Sequence, residues 1–301
     1  MSSRPAPTAP PFGGLWIPLV TPFKDAAVDH PALAFLVRTL GAQGIAGFVA
    51  CGSTGEAAAL CKDEQNQVLE TVLDAAQGLP VVMGLSGYHL EQTLDRVRGL
   101  ARYPLAGLLV PAPHYIRPSQ DGLKLWFGAI ADASAVPLIV YDIPYRTGAT
   151  LALQTLLDLA AHPRIRAIKD CGGDPAKTQA LISDGRLQVL AGEDAQIFNT
   201  LALGGAGAIA ASAHWQTQRF VQLTESLRQG DLHRARREWQ PLAPWIAACF
   251  AEPNPAPLKA VLAQAGWMEG GLRAPMMPAS AALQQRLQAE FGQAAPAFSR
   301  Q

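Results

Sequence analysis

Eight times between residues 15 and 229 a short apolar run is followed by a stretch with helical spacing of its apolar positions. Few folds are open to a chain with that rhythm. The apolar runs are residues 15–20, 47–50, 81–83, 107–110, 138–141, 165–169, 187–191 and 208–211. The spacing predicts a helix after each. The first starts at the capping residue Asp29, carries Leu33, Leu36, Val37 and Leu40, and closes at Gly41 and Gly44; the others cover about 62–76, 90–101, 120–133, 151–160, 175–183, 195–203 and 217–229. Strands that alternate with helices make a parallel sheet, and eight such units favour a closed (β/α)8 TIM barrel over an open doubly wound sheet. No Gly-x-Gly-x-x-Gly opens the first helix, which argues against a dinucleotide fold. Residues 233–248, 258–265 and 281–291 are helical in pattern with no strand among them. The expected division is a disordered N-terminal tail over 1–12, a catalytic barrel over 13–229 and a C-terminal helical subdomain over 230–301.

Composition closes off several functions. Charged residues are 16% of the chain and the formal net charge is zero, so no basic excess points to nucleic acid or an anionic membrane. The apolar runs are too short to span a bilayer as helices. Residues 1–11 are rich in Pro, Ala and Ser without an apolar core, unlike a signal peptide. Cys51, Cys61, Cys171 and Cys249 have neither metal-like nor redox spacing, and the six histidines form no His-x-x-x-His pair. The expectation is a reduced, cytoplasmic protein without metal or cofactor, whose partners are small molecules.

In such barrels chemistry sits where strands end. The strand-end residues are Thr21, Gly52-Ser53-Thr54-Gly55-Glu56, Pro113-His114-Tyr115, Tyr141-Asp142 with Arg146, Lys169-Asp170 and Gly192-Glu193-Asp194. Hydroxyls, one lysine, one arginine and few carboxylates suit amine chemistry on an anionic carbonyl compound. The chain has six Lys against eighteen Arg, and only lysine can become a nucleophilic amine. With a free pKa of ~10.4, about one lysine in a thousand is neutral at pH 7; lowering that pKa to ~7 takes on the order of 4–5 kcal/mol, which burial can supply. Each strand-end residue also has a plainer reading. Lys169 can pair with an acid, the Gly52–Gly55 turn can be a helix cap rather than an anion cradle, Tyr141 can be a core tyrosine, and Arg146 can be a surface ion-pair partner. Gly204-Gly205-Ala206-Gly207 falls on the opposite rim and reads as a helix stop.

Taken together, Gly52-Ser53-Thr54-Gly55-Glu56, His114-Tyr115-Ile116-Arg117-Pro118, residues 141–148, Ile168-Lys169-Asp170, Gly192-Glu193-Asp194-Ala195, Gly204-Gly205-Ala206-Gly207 and Glu252-Pro253-Asn254-Pro255 resemble a known pattern. It is that of the pyruvate-dependent Schiff-base aldolases of the dihydrodipicolinate synthase / N-acetylneuraminate lyase family, from about residue 13 to 277. The resemblance implies the barrel, the helical subdomain and usually a homotetramer built as a dimer of dimers. It makes Lys169 the imine-forming lysine and Tyr141 the proton shuttle beside it. Ser53 and Tyr115 are the remaining relay members, Tyr115 reaching into the neighbouring subunit's site. Thr54, with the amides of the Gly52–Gly55 loop, holds the pyruvate carboxylate, and the Ile209 carbonyl borders the pocket. Arg146 resembles the arginine that binds the carboxylate of L-aspartate 4-semialdehyde in the synthase branch, so the implied reaction is condensation of that aldehyde with pyruvate. Alternatives are a related aldolase, lyase or dehydratase of sugar acids or hydroxy-oxo acids, and an idle barrel that binds a 2-oxo acid. Four positions depart from the synthase pattern: Ser53 for threonine, His114 for tyrosine, Asp142 for asparagine, and a bulky Tyr145. The family's lysine-feedback pocket is poorly matched, with Lys62, Tyr88, Gln92 and His114 at its positions, so weak or no inhibition by lysine is expected.

Overall fold

The structure, a computed structural model, describes residues 12–292. Eight strands form a closed parallel barrel: β1 Gly14–Pro18, β2 Gly47–Ala50, β3 Val81–Gly84, β4 Gly107–Pro111, β5 Leu138–Asp142, β6 Ile165–Asp170, β7 Gln188–Ala191 and β8 Gly207–Ile209. They pair in sequence order, and β1 closes the ring on β8. The helices that follow them are α1 His30–Gly41, α2 Lys62–Ala75, α3 Leu90–Leu100, α4 Gln120–Ala133, α5 Leu153–Leu159, α6 Pro175–Asp184, α7 Ile197–Ala202 and α8 Thr217–Arg228. Asp29 caps α1 by accepting from the Ala32 amide at 3.0 Å, as its position in the sequence requires.

Because side chains alternate along a strand, each strand faces two cores. Val49, Val82, Leu109, Ile139, Ala167, Leu190 and Ile209 point inward and fill the barrel. Phe48, Val81, Leu108, Val140, Ile168 and Val189 point outward under the helices. Fully burying each such aliphatic side chain is worth about 1.5–3 kcal/mol. The floor of the barrel is aromatic. Phe12, placed in the tail by the sequence reading, is 1% exposed and lies 6.0 Å from the Trp16 ring, so the fold begins at least at this residue. The rest of the expected tail, residues 1–11, lies outside the described residues.

Gly47 makes room for that floor. A Cβ there would lie 2.4 Å from Trp16 Cζ3 and 2.5 Å from the Pro80 carbonyl oxygen. Neither a packed indole nor backbone yields cheaply, so Gly47→Ala is expected to destabilise the barrel by about 1–3 kcal/mol or more. An unchanged midpoint in urea would show that the floor is looser than this packing implies.

Two local features differ from the sequence reading. A small antiparallel hairpin, Phe23–Lys24 with Ala27–Val28, follows β1, where only a break was expected. After β5 a helical turn, Pro144–Thr147, precedes α5 and carries Arg146. The C-terminal helices are α9 Leu232–Cys249, α10 Ala256–Gln264 and α11 Ala281–Phe291. They are tied to the barrel by direct bonds: Trp245 donates to the Ser212 carbonyl at 2.9 Å, and Arg273 grips Glu64 with both terminal nitrogens at 2.6 and 2.8 Å.

Candidate active site

The barrel pairs Tyr141 of β5 directly with Lys169 of β6. Both side chains face inward at the carboxyl end of the strands, where the layers of aliphatic filling stop. Lys169 is 5% exposed, and its Nζ donates to the Tyr141 hydroxyl at 3.3 Å. Burial pushes the Lys169 ammonium below its ordinary value, only partly opposed by the negative groups around it. Burial also raises the Tyr141 phenol, against the Ser53 hydroxyl that bonds it. No carboxylate lies within ion-pair distance of Lys169 among the described residues, so the plainer reading of this lysine as an ion-pair partner does not hold. At Gly192, which follows β7, a Cβ would lie 2.8 Å from Lys169 Cγ and 2.4 Å from Cys171 Sγ. Glycine there leaves the space that the lysine stem occupies.

Ser53, Thr54, Tyr141, Arg146, Lys169 and Ile209 line one cleft of ≈ 370 Å³ above this pair. Thr54 is buried, and its Oγ1 accepts from Asn254 Nδ2 at 3.0 Å. Arg146 reaches the mouth and pairs with no acid among the described residues, contrary to the surface ion-pair reading. The two glycines stand elsewhere. Gly52 borders a neighbouring, more apolar cavity of ≈ 420 Å³ rather than this cleft. The Gly55 amide is spent within the turn, donating to the Gly52 carbonyl at 3.1 Å. That cavity shares Ser53, Tyr141, Arg146 and Asn254 with the cleft. Tyr115 is also apart from the cleft: it is 88% exposed in the single chain, on a backbone with φ of +75°.

Several cleft residues had no role assigned from sequence. Asp194 Oδ2 accepts from the Ser212 amide at 2.7 Å and its hydroxyl at 2.6 Å, and burial raises its carboxyl to about 6. Glu193, Glu252, Phe250 and Asn254 complete the walls. Glu193 and Asp194 were visible as strand-end residues. Asn254 belongs to the Glu252–Pro255 motif already singled out, but nothing local announces its bond to Thr54, 200 residues away.

Other expected groups are placed as follows. Asp142 lies behind the site, its Oδ2 accepting from Lys177 Nζ at 2.6 Å, so the departure from asparagine is matched by a buried cation. His114 packs its ring against Tyr88 with centroids 5.2 Å apart. All four cysteines are free thiols. Among the described residues no group of three or more His, Cys, Asp or Glu is arranged to hold a metal ion, and no helix is long and apolar enough to cross a membrane.

A closed (β/α)8 barrel that buries an amine beside a phenol at its carboxyl rim has the parts of an aldolase-type lyase. The chain belongs to the dihydrodipicolinate synthetase family, whose model matches residues 11–294. It is 35% identical over 278 residues to the 4-hydroxy-tetrahydrodipicolinate synthase 2 of Clostridium acetobutylicum, covering 91% of this chain and 97% of that one. Dihydrodipicolinate synthase from Thermotoga maritima superposes with a TM-score of 0.91 at 29% identity, covering 94% of this chain and 98% of the other. The chloride-inhibited dihydrodipicolinate synthase from Acinetobacter baumannii, solved with pyruvate, gives 0.90 at 30% identity, with 93% and 98% covered.

Proposed function

We infer that this protein is a 4-hydroxy-tetrahydrodipicolinate synthase, condensing pyruvate with L-aspartate 4-semialdehyde through an imine on Lys169. The observation that carries the reading is the buried, carboxylate-free Lys169 amine against the Tyr141 hydroxyl, with an unpaired Arg146 above it. The neutral amine attacks the pyruvate ketone, and Tyr141 and Ser53 pass the protons that turn the carbinolamine into an iminium and water. Thr54 and the adjoining amides hold the carboxylate. The iminium draws electrons from the methyl group as it loses a proton, and the resulting enamine adds to the aldehyde. The amino group of the second substrate then displaces Lys169 as the ring closes.

The unpaired Arg146 favours this reading over a sugar-acid aldolase, because a lone guanidinium at the mouth is matched by a second carboxylate on the incoming aldehyde. Borohydride with pyruvate is expected to leave a reduced adduct on Lys169 by peptide mass spectrometry, and added aspartate semialdehyde is expected to consume pyruvate catalytically. In Arg146→Ala the adduct should persist while kcat/KM for the aldehyde falls about 100-fold, the loss of a charge-assisted carboxylate clamp. An unchanged kcat/KM in that variant would rule out the synthase assignment.

Assembly belongs to the same reading. Tyr88, Tyr115 and Ile116 are all strongly exposed, which supports a homotetramer, a dimer of dimers, in which Tyr115 completes the relay of a neighbouring subunit. Four free thiols support a cytoplasmic location. Lys62, Tyr88 and Gln92 line a cleft of ≈ 470 Å³ that also holds Arg96 and one acid, Asp95. The two fixed cations, Lys62 and Arg96, outnumber that acid and oppose the ammonium groups of lysine. Submillimolar L-lysine is therefore expected to leave the rate unchanged, and half-inhibition in that range would refute this.

A further inference from the structure

Behind the reacting pair the same two strand ends hold a second pair, which is charged. Side chains alternate along a strand, so Asp142 and Asp170, each one position past Tyr141 and Lys169, point away from the cleft toward α6. Asp170 is committed there, accepting from the Gly172 amide at 2.9 Å and the Thr178 hydroxyl at 2.5 Å. Asp142 takes the cation. It is 1% exposed and Lys177 of α6 is 6% exposed. The Lys177 Nζ that bonds the Asp142 carboxylate at 2.6 Å also donates to the Leu151 carbonyl at 3.1 Å.

Those two partners are the two ends of one loop. Asp142 closes β5, Leu151 stands just before α5, and residues 143–150 between them carry Arg146. The loop is stiff within itself. The Arg146 and Thr147 amides donate to the Ile143 carbonyl at 3.1 Å, and the Gly148 amide donates to the Pro144 carbonyl at 2.8 Å. The Thr147 hydroxyl bonds the Ile143 and Ala149 carbonyls, both at 3.1 Å. Such a unit moves as one body. Gln120 holds its outer end through Thr150 and Ala152, and at its tip the Tyr145 hydroxyl donates to Glu193 Oε1 at 3.0 Å. Lys177 joins the two ends to each other from inside the protein. No ion pair holds the Arg146 side chain among the described residues, so the guanidinium is placed by where this body sits.

A buried ion pair is a poor source of stability, since apolar residues of the same size often serve as well. What it adds is direction. A short ammonium–carboxylate bond fixes one geometry, and a displacement of ~1 Å in a substrate-positioning group can cost on the order of 100-fold in rate.

We propose that Lys177 is a positioning residue for Arg146: by tying Asp142 to Leu151 it fixes the loop after β5 and so sets the place of the guanidinium relative to the Lys169 amine. This rests on the reading of Arg146 as the clamp for the aldehyde's carboxylate. It gives a buried pair outside the cleft the task of aiming that clamp.

The variant that tests it is Asp142→Asn with Lys177→Met, which removes both charges together and strands neither. Borohydride trapping is expected to form the Lys169–pyruvate adduct within about twofold of the wild-type rate, while kcat/KM for aspartate semialdehyde falls about tenfold, mainly through KM. A merely structural role would lower trapping and condensation alike. The deciding comparison is a double-mutant cycle. In an Arg146→Ala background the same two substitutions should change kcat/KM by less than about twofold, because an absent guanidinium cannot be misplaced. Should the paired variant fail to fold, Gly172→Ala carries the comparison with the same expected losses. Its Cβ would stand 2.7 Å from Lys177 Nζ and 2.8 Å from Asp142 Oδ2, parting the two with both charges kept. Folded variants with wild-type kcat/KM, trapping that falls as far as condensation, or losses that multiply in full with that of Arg146→Ala overturn the proposal. An Arg146→Ala enzyme that itself keeps the wild-type kcat/KM overturns the clamp reading, and the proposal with it.

Discussion

Lys169→Ala is expected to lose condensation by on the order of 10⁴-fold or more, since no other group can form the imine through which every step passes. Lys169→Arg should lose as much, although it keeps a cation in the cavity, which separates the nucleophile from the charge. The pH dependence follows from the burial that lowers the Lys169 pKa. The reactive form is the neutral amine, whose fraction grows as pH rises, and a lowered pKa moves that growth toward neutrality. The rate of pyruvate trapping should therefore climb with pH and level off below the ordinary lysine value of 10.5. A limb at or above that value would show that burial does not lower the amine's pKa, and full turnover by Lys169→Ala would remove the amine from the mechanism.

The second large effect lies away from the reacting atoms. Lys259 of α10 is 0% exposed and bonds Glu56 Oε1 at 2.5 Å and the Gly271 carbonyl at 2.8 Å. Glu56 Oε2 accepts from the Arg273 amide at 3.1 Å. Glu56 follows Ser53-Thr54-Gly55 directly, and Asn254, just before α10, bonds Thr54. The C-terminal subdomain thus grips the loop assigned to the pyruvate carboxylate at its middle, Thr54, and at its far end, Glu56. Lys259→Met strands a buried carboxylate and is expected to cost about 3–5 kcal/mol. In the protein that still folds, KM for pyruvate should rise about tenfold while kcat changes less, as the loop loses its anchor. Adding Glu56→Gln removes the stranded charge and should return part of the stability. Denaturant midpoints and pyruvate kinetics on the two variants test this; a single variant as stable as wild type would show that Glu56 finds another partner.

The barrel was legible because each strand carries an apolar run long enough to bury and each helix shows its stripe. Lys169, Tyr141 and Arg146 were legible because strand ends of such barrels converge, so position along the chain translates into position in space. The hairpin at residues 23–28 was not. Two-residue strands leave no periodicity, and the turn is made by Asp25 and Ala26 at φ of +50° and +65°, where neither a glycine nor an asparagine gives it away. Nor was the Glu56–Lys259 pair, whose members are 203 residues apart with ordinary local surroundings. Tyr145 stands out in the sequence by its size and Glu193 by its position at a strand end. Their bond across the mouth depends on how far the loops after β5 and β7 lean toward each other, which side-chain pattern does not encode.

The pairing of β5 with β6 slips between Leu138 and Ile139: Leu138 stands opposite Ile165, but Ile139 stands opposite Ala167. Arg166 is the residue skipped, and it is exposed. Ile165 accordingly faces the helices while Ala167, two positions on, faces the barrel interior. Strict period-two counting from Ile165 would send the fourth residue along, Lys169, outward among the helices. One surplus residue on the surface inverts the parity of the strand and turns the amine toward the substrate. Insertions and deletions at this solvent-facing arginine should be far less forgiving than substitutions there, because they alter counting rather than chemistry.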